Sequence, residues 1–125
     1  IEIKKNIGKK YMSFFKNINN IKVAPEKTSY SENIFWVFGL VLDDKDAVDN
    51  KTFMKLLSKK GIGTRPFFWP MNKQPVFKKM GLFDNLILPI SEKIAKKGLY
   101  LPSGITLKDD QIKYVSEQVL DILNT

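Results

Sequence analysis

The stretch GIGTRPFFWPMNKQPVF, Gly61–Phe77, combines one arginine, four aromatic residues and three prolines without helical or strand periodicity. Three prolines in so short a segment exclude a regular helix or a central strand. The aromatic side chains also carry too much apolar area for an ordinary solvated loop. The segment therefore predicts an irregular surface that presents side chains to a ligand or to another part of the molecule.

The side chains of this stretch allow two interpretations each. Arg65, the only arginine in the sequence, is either a surface residue at a strand end or an anion clamp whose planar fork binds carboxylate or phosphate. Phe67, Phe68 and Trp69 form either hydrophobic core at a bend or a stacking wall for a nucleoside base or sugar ring. Asn72 can hydrogen-bond a hydroxylated ligand, although loop amides more often satisfy backbone groups.

Length and composition indicate one globular domain. The chain has 125 residues, 43% of them hydrophobic, and no apolar run reaches the ~18–20 residues that span a bilayer. It contains no Cys and no His, which excludes the usual zinc sites, thiol catalysis and histidine acid–base chemistry within this chain, and no metal is expected. The absence of Cys fits a cytoplasmic protein, and no membrane partner is expected.

The formal charge of +8 is spread over lysines along the whole chain. A solvated lysine surface explains this charge, but so does binding to nucleic acid, to an anionic membrane or to a phosphorylated small molecule. Because the lysines are dispersed rather than clustered, nucleic acid is the less favoured partner. The charge by itself therefore does not choose a ligand.

Apolar periodicity predicts helices at both ends of the chain. The first helix runs to a turn at Asn17–Asn20, and the absence of an N-cap before it suggests that the chain is a fragment. The last helix is predicted to begin at a Thr106 cap, with Asp109 in a capping-box-like position. The apolar positions are Ile3, Ile7, Tyr11, Phe14, Phe15 and Ile18 in the first helix, and Ile112, Val115, Val119 and Ile122 in the last.

The middle of the chain alternates between short strands and helices. Asn33–Leu42 reads as the clearest strand, with both faces covered, and Asn50 as the N-cap of a following helix. Further elements are an extended Ile21–Pro25, a polar turn at Asp43–Asp46, a helix at Lys51–Lys60 ended by Gly61, a strand at Ile62–Arg65, an irregular stretch over Met80–Leu88, a helix at Ser91–Lys97 closed by Gly98 and a strand at Leu99–Leu101.

This order predicts an α+β fold, a small sheet with helices packed on one side. The strand–helix–strand unit over residues 34–65 is compatible with either a parallel or an antiparallel pair of strands.

The succession GIGTRPFFWPMNKQPVF, a short helix and then KGLYLPSGITLKDDQIKYVSEQVLDIL resembles the C-terminal part of the DegT/DnrJ/EryC1/StrS aminotransferases. Its TRPFFWP form is most similar to the perosamine synthetase branch. FWVFGLVL and TFMKLLSKKGI stand where that family has an aromatic-rich strand and the helix before the motif, so the resemblance covers essentially the whole chain.

The resemblance implies a pyridoxal 5′-phosphate-dependent, fold type I enzyme that aminates a keto-sugar nucleotide, with glutamate as the expected donor, and is usually a homodimer. Residues 1–20 would be the end of the connecting helix and residues 21–125 the C-terminal small domain. The large domain, which carries the Schiff-base lysine, would be absent. The fragment is therefore expected to be inactive and to bind no cofactor alone.

Residue by residue, the resemblance implies that Arg65, Phe67, Phe68, Trp69 and Asn72 approach the nucleotide-sugar substrate, and that this fragment holds no catalytic residue. Many members have histidine where this chain has Asn72, and asparagine can hydrogen-bond a hydroxyl but cannot act as a general base. The alternative hypothesis is a free-standing basic module that binds nucleotides or nucleic acid.

Overall fold

The computed structural model describes residues 1–43 and 48–124, and these form four strands, five α-helices and one short 3-10 turn. The predicted turn at Asp43–Asp46 lies outside the described residues beyond Asp43. The strands are β1 (Ile21–Val23), β2 (Phe38–Leu42), β3 (Arg65–Pro66) and β4 (Gly98–Leu101). The helices are α1 (Glu2–Phe15), α2 (Asn50–Lys59), α3 (Pro75–Lys79), α4 (Pro89–Lys97) and α5 (Asp109–Leu123), and the 3-10 turn is Met71–Lys73.

The four strands form one sheet in the order β1-β2-β4-β3, and every neighbouring pair is antiparallel. Since β2 and β3 both run antiparallel to β4, they run parallel to each other with β4 inserted between them. The strand–helix–strand unit is therefore a split, parallel one. The predicted α+β class is confirmed.

One face of the sheet carries the hydrophobic core. Side chains alternate along a strand, so Phe38, Leu40 and Leu42 of β2 share a face with Leu99 and Leu101 of β4. Helices α1, α2 and α5 pack there, whereas the expectation that the helices lie on one side is wrong for α4, which lies against the other face. Their buried side chains include Tyr11, Phe15, Phe53, Leu57, Ile112, Val115, Val119 and Ile122, which confirms the predicted apolar stripe of the last helix.

The second face of the sheet is covered by different elements, which the sequence does not predict. A Cβ added to Gly39 would project to this face and lie 2.7 Å from the Phe67 ring. A Cβ added to Gly98 would lie 1.7 Å from the same ring. Phe67 therefore sits in a notch that only glycine leaves open. Helix α4 contributes the buried Ala95 to the same side.

The predicted strand Asn33–Leu42 is wrong in its first half, because β2 begins at Phe38. Phe35 has a φ of 50°, in the left-handed region that breaks a strand, and its N–H donates to Asn33 Oδ1 at 2.8 Å. This turn buries Phe35 against Gly8 of α1. The strand predicted at Ile62–Arg65 is also wrong in its first three residues, because β3 consists of Arg65 and Pro66.

Two predicted helix caps are also wrong. Asp49, not Asn50, caps α2, since its Oδ1 accepts from the Thr52 N–H at 2.7 Å, and this bond lowers the pKa of the Asp49 carboxyl. Asn50 is buried and donates from Nδ2 to Gly98 O at 3.2 Å. Thr106 lies in a turn, and α5 begins after Lys108. Within the described residues no helix is both long and apolar enough to cross a bilayer.

We expect Gly8→Ala to destabilise the protein. Alanine inside a helix is normally more stable than glycine by about 1 kcal/mol, but here the new Cβ would lie 2.1 Å from Phe35 Cγ. Overpacking of this kind costs about 1–3 kcal/mol in the free energy of unfolding. Urea denaturation measures it, with Gly104→Ala as the control because no atom lies within 4 Å of that added Cβ. A Gly8→Ala variant more stable than the wild type would contradict this packing.

The buried phenol of Tyr11 predicts a loss of stability at alkaline pH. Its hydroxyl donates to Pro102 O at 2.8 Å, and burial raises its pKa above the usual value. Ionisation is therefore easier in the unfolded chain, so the stabilisation is complete below about pH 10 and decreases as the pH rises further. Tyr11→Phe should lose about 1 kcal/mol at pH 7 and show a flatter decline between pH 9 and 11.

The matched control for this measurement is Tyr30→Phe, since Tyr30 is 88% exposed. Both variants keep all lysines, so the difference between their pH profiles isolates the buried phenol. Identical profiles for the two variants would refute the prediction.

Candidate functional site

An open depression on the second sheet face, with a volume of about 1030 Å³, gathers most of the side chains that the sequence singled out. Arg65 lies in β3 opposite Tyr100 of β4, and the segment that follows it turns across this face. The lining residues include Arg65, Phe67, Phe68, Trp69, Tyr100, Trp36, Lys51 and Lys96.

Arg65 is exposed at one wall of the depression. In the part of the chain that the structure describes, no carboxylate forms an ion pair with it and no hydrogen bond occupies its side chain. Its five N–H donors therefore face solvent, in the fork geometry that matches a carboxylate or a phosphate. This state is compatible with a clamp and with a surface residue.

The three aromatic residues after Arg65 do not play the same part. Phe67 is half-buried in the glycine notch, with its ring centroid 4.4 Å from that of Tyr100, so it is the floor of the depression. Phe68 is 73% exposed and Trp69 47% exposed. Trp69 Nε1 donates to Lys73 O at 3.2 Å, which leaves its ring as the available group. Phe68 and Trp69 can contact a ligand, whereas Phe67 mainly supports them.

Asn72 lies apart from the other four predicted residues. It is only 4% exposed, and it lines a neighbouring depression of about 500 Å³ that shares Phe68 with the larger one. Its Nδ2 donates to Leu86 O at 3.3 Å, while Oδ1 is buried without a hydrogen-bond partner. An unpaired buried acceptor lowers the stability of the protein, and a donor on a ligand could satisfy it. Because Oδ1 is buried, a ligand reaches it only if the loop rearranges.

Polar contacts fix the loop that carries these residues. Gln74 Nε2 donates to Trp69 O at 3.0 Å, and Lys73 pairs with Glu92 of α4 at 3.1 Å. The hydrogen bond from Lys73 is the main reason why the pKa of the Glu92 carboxyl is lowered. The Lys73–Glu92 ion pair therefore connects the aromatic segment, Gly61–Phe77, to α4.

Sequence reasoning missed several residues of the larger depression, among them Trp36, Lys51, Lys96 and Tyr100. Trp36 belongs to the run that reads as a strand covered on both faces, and no pattern separates it from its buried neighbours. The two lysines are among many in the chain, and only the packing of α2 and α4 brings them to one site.

The depression offers binding chemistry rather than a catalytic pair. Its aromatic rings suit a planar group, and its three cations suit negative charge. Burial raises the pKa of the Tyr100 phenol, a group that is protonated at neutral pH even without this shift. No group of three or more His, Cys, Asp or Glu side chains within residues 1–43 and 48–124 is placed to hold a metal ion.

Comparisons with known proteins identify relatives in sequence and in structure. A GDP-perosamine synthase from Vibrio cholerae is 28% identical over 90 residues, which are 72% of this chain and 24% of that protein. The aminotransferase TlmJ from Streptoalloteichus hindustanus has a similar structure, with a TM-score of 0.83 at 17% identity, covering 99% of this chain and 32% of that one.

A third relative is the GDP-4-keto-6-deoxy-D-mannose-3-dehydratase of Escherichia coli, solved with bound hydrated pyridoxal phosphate. Its TM-score is 0.79 at 19% identity, over 94% of this chain and 30% of that one. At such identities the two structures establish the fold alone. This chain spans no more than about a third of the length of any of the three relatives.

The model of the DegT/DnrJ/EryC1/StrS aminotransferase family matches residues 1–120, nearly the whole chain. The chain therefore belongs to the DegT/DnrJ/EryC1/StrS aminotransferase family.

Proposed function

We propose that this chain is the C-terminal small domain of a pyridoxal-phosphate-dependent aminotransferase acting on a keto-sugar nucleotide. In this proposal residues 1–20 are the end of the connecting helix and residues 21–125 the small domain. The family match over residues 1–120 carries the proposal, and the likeness to a GDP-perosamine synthase supports a nucleotide-linked sugar as the substrate. The same match disfavours the alternative of a free-standing basic module.

In the parent enzyme the larger depression is one wall of the substrate site. Arg65 binds the diphosphate or another anionic group of the substrate through its fork. Phe68 and Trp69 present ring faces to the base or the sugar, and Phe67 holds them in place from the glycine notch. Asn72 accepts a hydrogen bond from a sugar hydroxyl after a local rearrangement that exposes Oδ1.

Pyridoxal phosphate, when bound, supplies the electron sink for amino transfer. The described lysines that line the depression do not fit its covalent attachment. Lys51 and Lys96, which line the depression, are exposed. Burial lowers the pKa of Lys4, but its Nζ donates to Ser103 O and it does not line the depression. In this proposal the attachment lysine belongs to a large domain of the same polypeptide.

The exposed apolar surface between residues 68 and 94 supports packing against that large domain and, in a homodimer, against a second subunit. Isolated exposed apolar residues are normal, but a dense set of them in one stretch of chain is typical of a surface that contacts a partner. The exposed residues of this surface are Phe68, Trp69, Met71, Val76, Met80, Leu82, Phe83, Leu86, Ile87, Leu88, Ile90 and Ile94.

In the parent we expect a cytoplasmic enzyme with glutamate as the amino donor.

The direct test is the coding sequence upstream of Ile1, joined to an assay of the complete protein. We expect an upstream large domain with a Schiff-base lysine, and amination of a keto-sugar nucleotide by glutamate. Because one structural relative is a dehydratase, the assay must detect the amino group in the product rather than consumption of the substrate. An upstream region without such a lysine would overturn the proposal.

The isolated chain should not bind pyridoxal phosphate specifically. We expect folded chain and cofactor to show no larger change in visible absorbance than the same chain unfolded in urea, because the unfolded control presents the same lysines. A change specific to the folded chain would mean that one of its lysines does hold the cofactor.

Arg65→Ala in the complete enzyme should weaken substrate binding or turnover while leaving cofactor loading unchanged. Loss of a charge-assisted contact of about 1.5–3 kcal/mol corresponds to about a tenfold to 150-fold decrease in kcat/KM. Arg65→Lys should also be impaired if the contact is bidentate. The control is Lys59→Ala, since Lys59 is an exposed cation outside the depression. Unchanged kinetics with the sugar nucleotide would exclude the clamp.

A further inference from the structure

Glu92 lies in the first turn of α4, and several hydrogen-bond donors meet at its carboxylate. The Lys73 ammonium lies 3.1 Å from Oε1, and the Leu88 N–H donates to the same oxygen at 3.4 Å. The hydrogen bond from Lys73 is the main reason why the pKa of this carboxyl is lowered, and a hydrogen bond from the Asn72 side chain is a smaller one. Only 19% of the Glu92 side chain is exposed, so these partners largely enclose it.

A role in capping the helix explains only part of this arrangement. Negative charge in the first turn of a helix is favourable, and the Glu92 carboxylate also accepts from the N–H of Leu88, the residue before α4. Neither effect requires the donors of Asn72 and Lys73, which belong to the 3-10 turn in another part of the chain. Glu92 therefore also holds the turn that carries Asn72.

The surroundings of the Asn72 amide determine its orientation. Its Nδ2 donates to Leu86 O at 3.3 Å and contacts the Glu92 carboxylate. A carbonyl and an ionised carboxylate can only accept hydrogen bonds, so a rotated amide would place Oδ1 against two acceptors and lose both bonds. The nitrogen of this amide is therefore in use, and the oxygen is left over.

This left-over oxygen, Asn72 Oδ1, is the one buried side-chain nitrogen or oxygen without a hydrogen-bond partner in the part of the chain that the structure describes. Asn72 lines the depression of about 500 Å³, together with apolar residues such as Phe83, Leu86 and Ile94. Because native structures rarely leave a buried acceptor unpaired, this atom points to a ligand. The depression thus offers one acceptor beside an apolar surface.

The two acceptors that hold Nδ2 belong to different kinds of structure. Leu86 is part of the irregular stretch over residues 80–88 and also lines the depression, whereas Glu92 is part of α4. A ligand reaches Oδ1 only if the loop rearranges, and the irregular stretch is the part that can move without breaking a helix. Glu92 is therefore the acceptor that keeps the amide oriented when a ligand enters.

We propose that Glu92 is a positioning residue whose carboxylate holds the Asn72 amide so that Oδ1 is presented to the ligand as an acceptor. The group bound there is then a hydrogen-bond donor, such as a hydroxyl, and a carbonyl or a carboxylate finds no partner. Glu92 acts through Asn72, since it does not itself line the depression. This deepens the proposed function and rests on it for the identity of the ligand.

The first measurement observes the side-chain amide of Asn72 in the 125-residue chain by NMR. We expect Glu92→Ala to shift its resonances and to speed the exchange of its protons with water, because one acceptor is lost. Lys73→Ala breaks the same ion pair but leaves the carboxylate, so it should change the amide much less. The matched control is Glu117→Ala, which removes an exposed carboxylate of α5 that pairs with Lys113 and should change nothing.

The second measurement is a double-mutant cycle in the complete enzyme. Glu92→Ala should raise the KM for the keto-sugar nucleotide about twofold to tenfold, the range for one neutral hydrogen bond, with cofactor loading unchanged. In an Asn72→Ala background the same substitution should have little further effect, because the residue through which it acts is missing. Glu92→Gln keeps one oxygen acceptor and should restore part of the loss.

Two results would overturn the positioning role. Equal changes of the Asn72 amide in Glu92→Ala and Lys73→Ala would make Glu92 only an ion-pair tether of the loop. Additive effects of Glu92→Ala and Asn72→Ala on KM would mean that Glu92 does not act through Asn72. Circular dichroism checks that each variant is folded, and the NMR measurement decides alone if Asn72→Ala is not.

The two measurements also separate this inference from the proposed function. An Asn72 amide that depends on Glu92, found in a protein whose complete form does not aminate a keto-sugar nucleotide, would keep the contact and remove the aminotransferase. Amination with additive effects of the two substitutions would keep the enzyme and remove the positioning role.

Discussion

The aromatic surface on the second face of the sheet depends on the absence of two side chains. Gly39 and Gly98 lie diagonally across the β2–β4 ladder on the second face of the sheet, and the Phe67 ring comes down onto the backbone between them. This contact directly follows β3, in which Arg65 pairs with Tyr100 of β4. It also determines that Phe68 and Trp69, which follow directly, face outward. A steric fit in the sheet therefore positions this surface, together with the polar contacts of the loop, such as Gln74 Nε2 to Trp69 O.

The two faces of the sheet differ in how completely other elements cover them. The first face buries the side chains of α1, α2 and α5 in a conventional core, and polar contacts between the terminal helices reinforce it, such as Lys10 of α1 with Asp109 of α5. The second face is only partly covered, by α4 and the aromatic segment. Such an arrangement keeps the domain stable while leaving one broad apolar and cationic surface for a ligand or another domain.

The features that could be predicted from sequence are those that local patterns encode. The stripe of α5 and the α+β class follow from apolar spacing, and the concentration of Arg65 with aromatic residues follows from composition. The strand start at Phe38 could not be predicted, because the left-handed turn at Phe35 is stabilised by a distant contact with Gly8. Asn50 has the right residue type for a cap, yet its amide is used by Gly98 O across the fold. Tertiary packing also separates Asn72 from Arg65. It likewise brings Trp36, Lys51 and Lys96 to the larger depression.

The shortness of the outermost strands has a consequence for solubility. The sheet ends on one side with the three residues of β1, followed closely by Pro25, and on the other with the two residues of β3, of which Pro66 has no N–H to donate. An unprotected strand at the border of a sheet can pair with the same strand of another molecule and start a fibril. Here neither border offers a long enough ladder of free backbone groups. The exposed aromatic surface can thus recruit partners through side chains without making the sheet itself a template for aggregation.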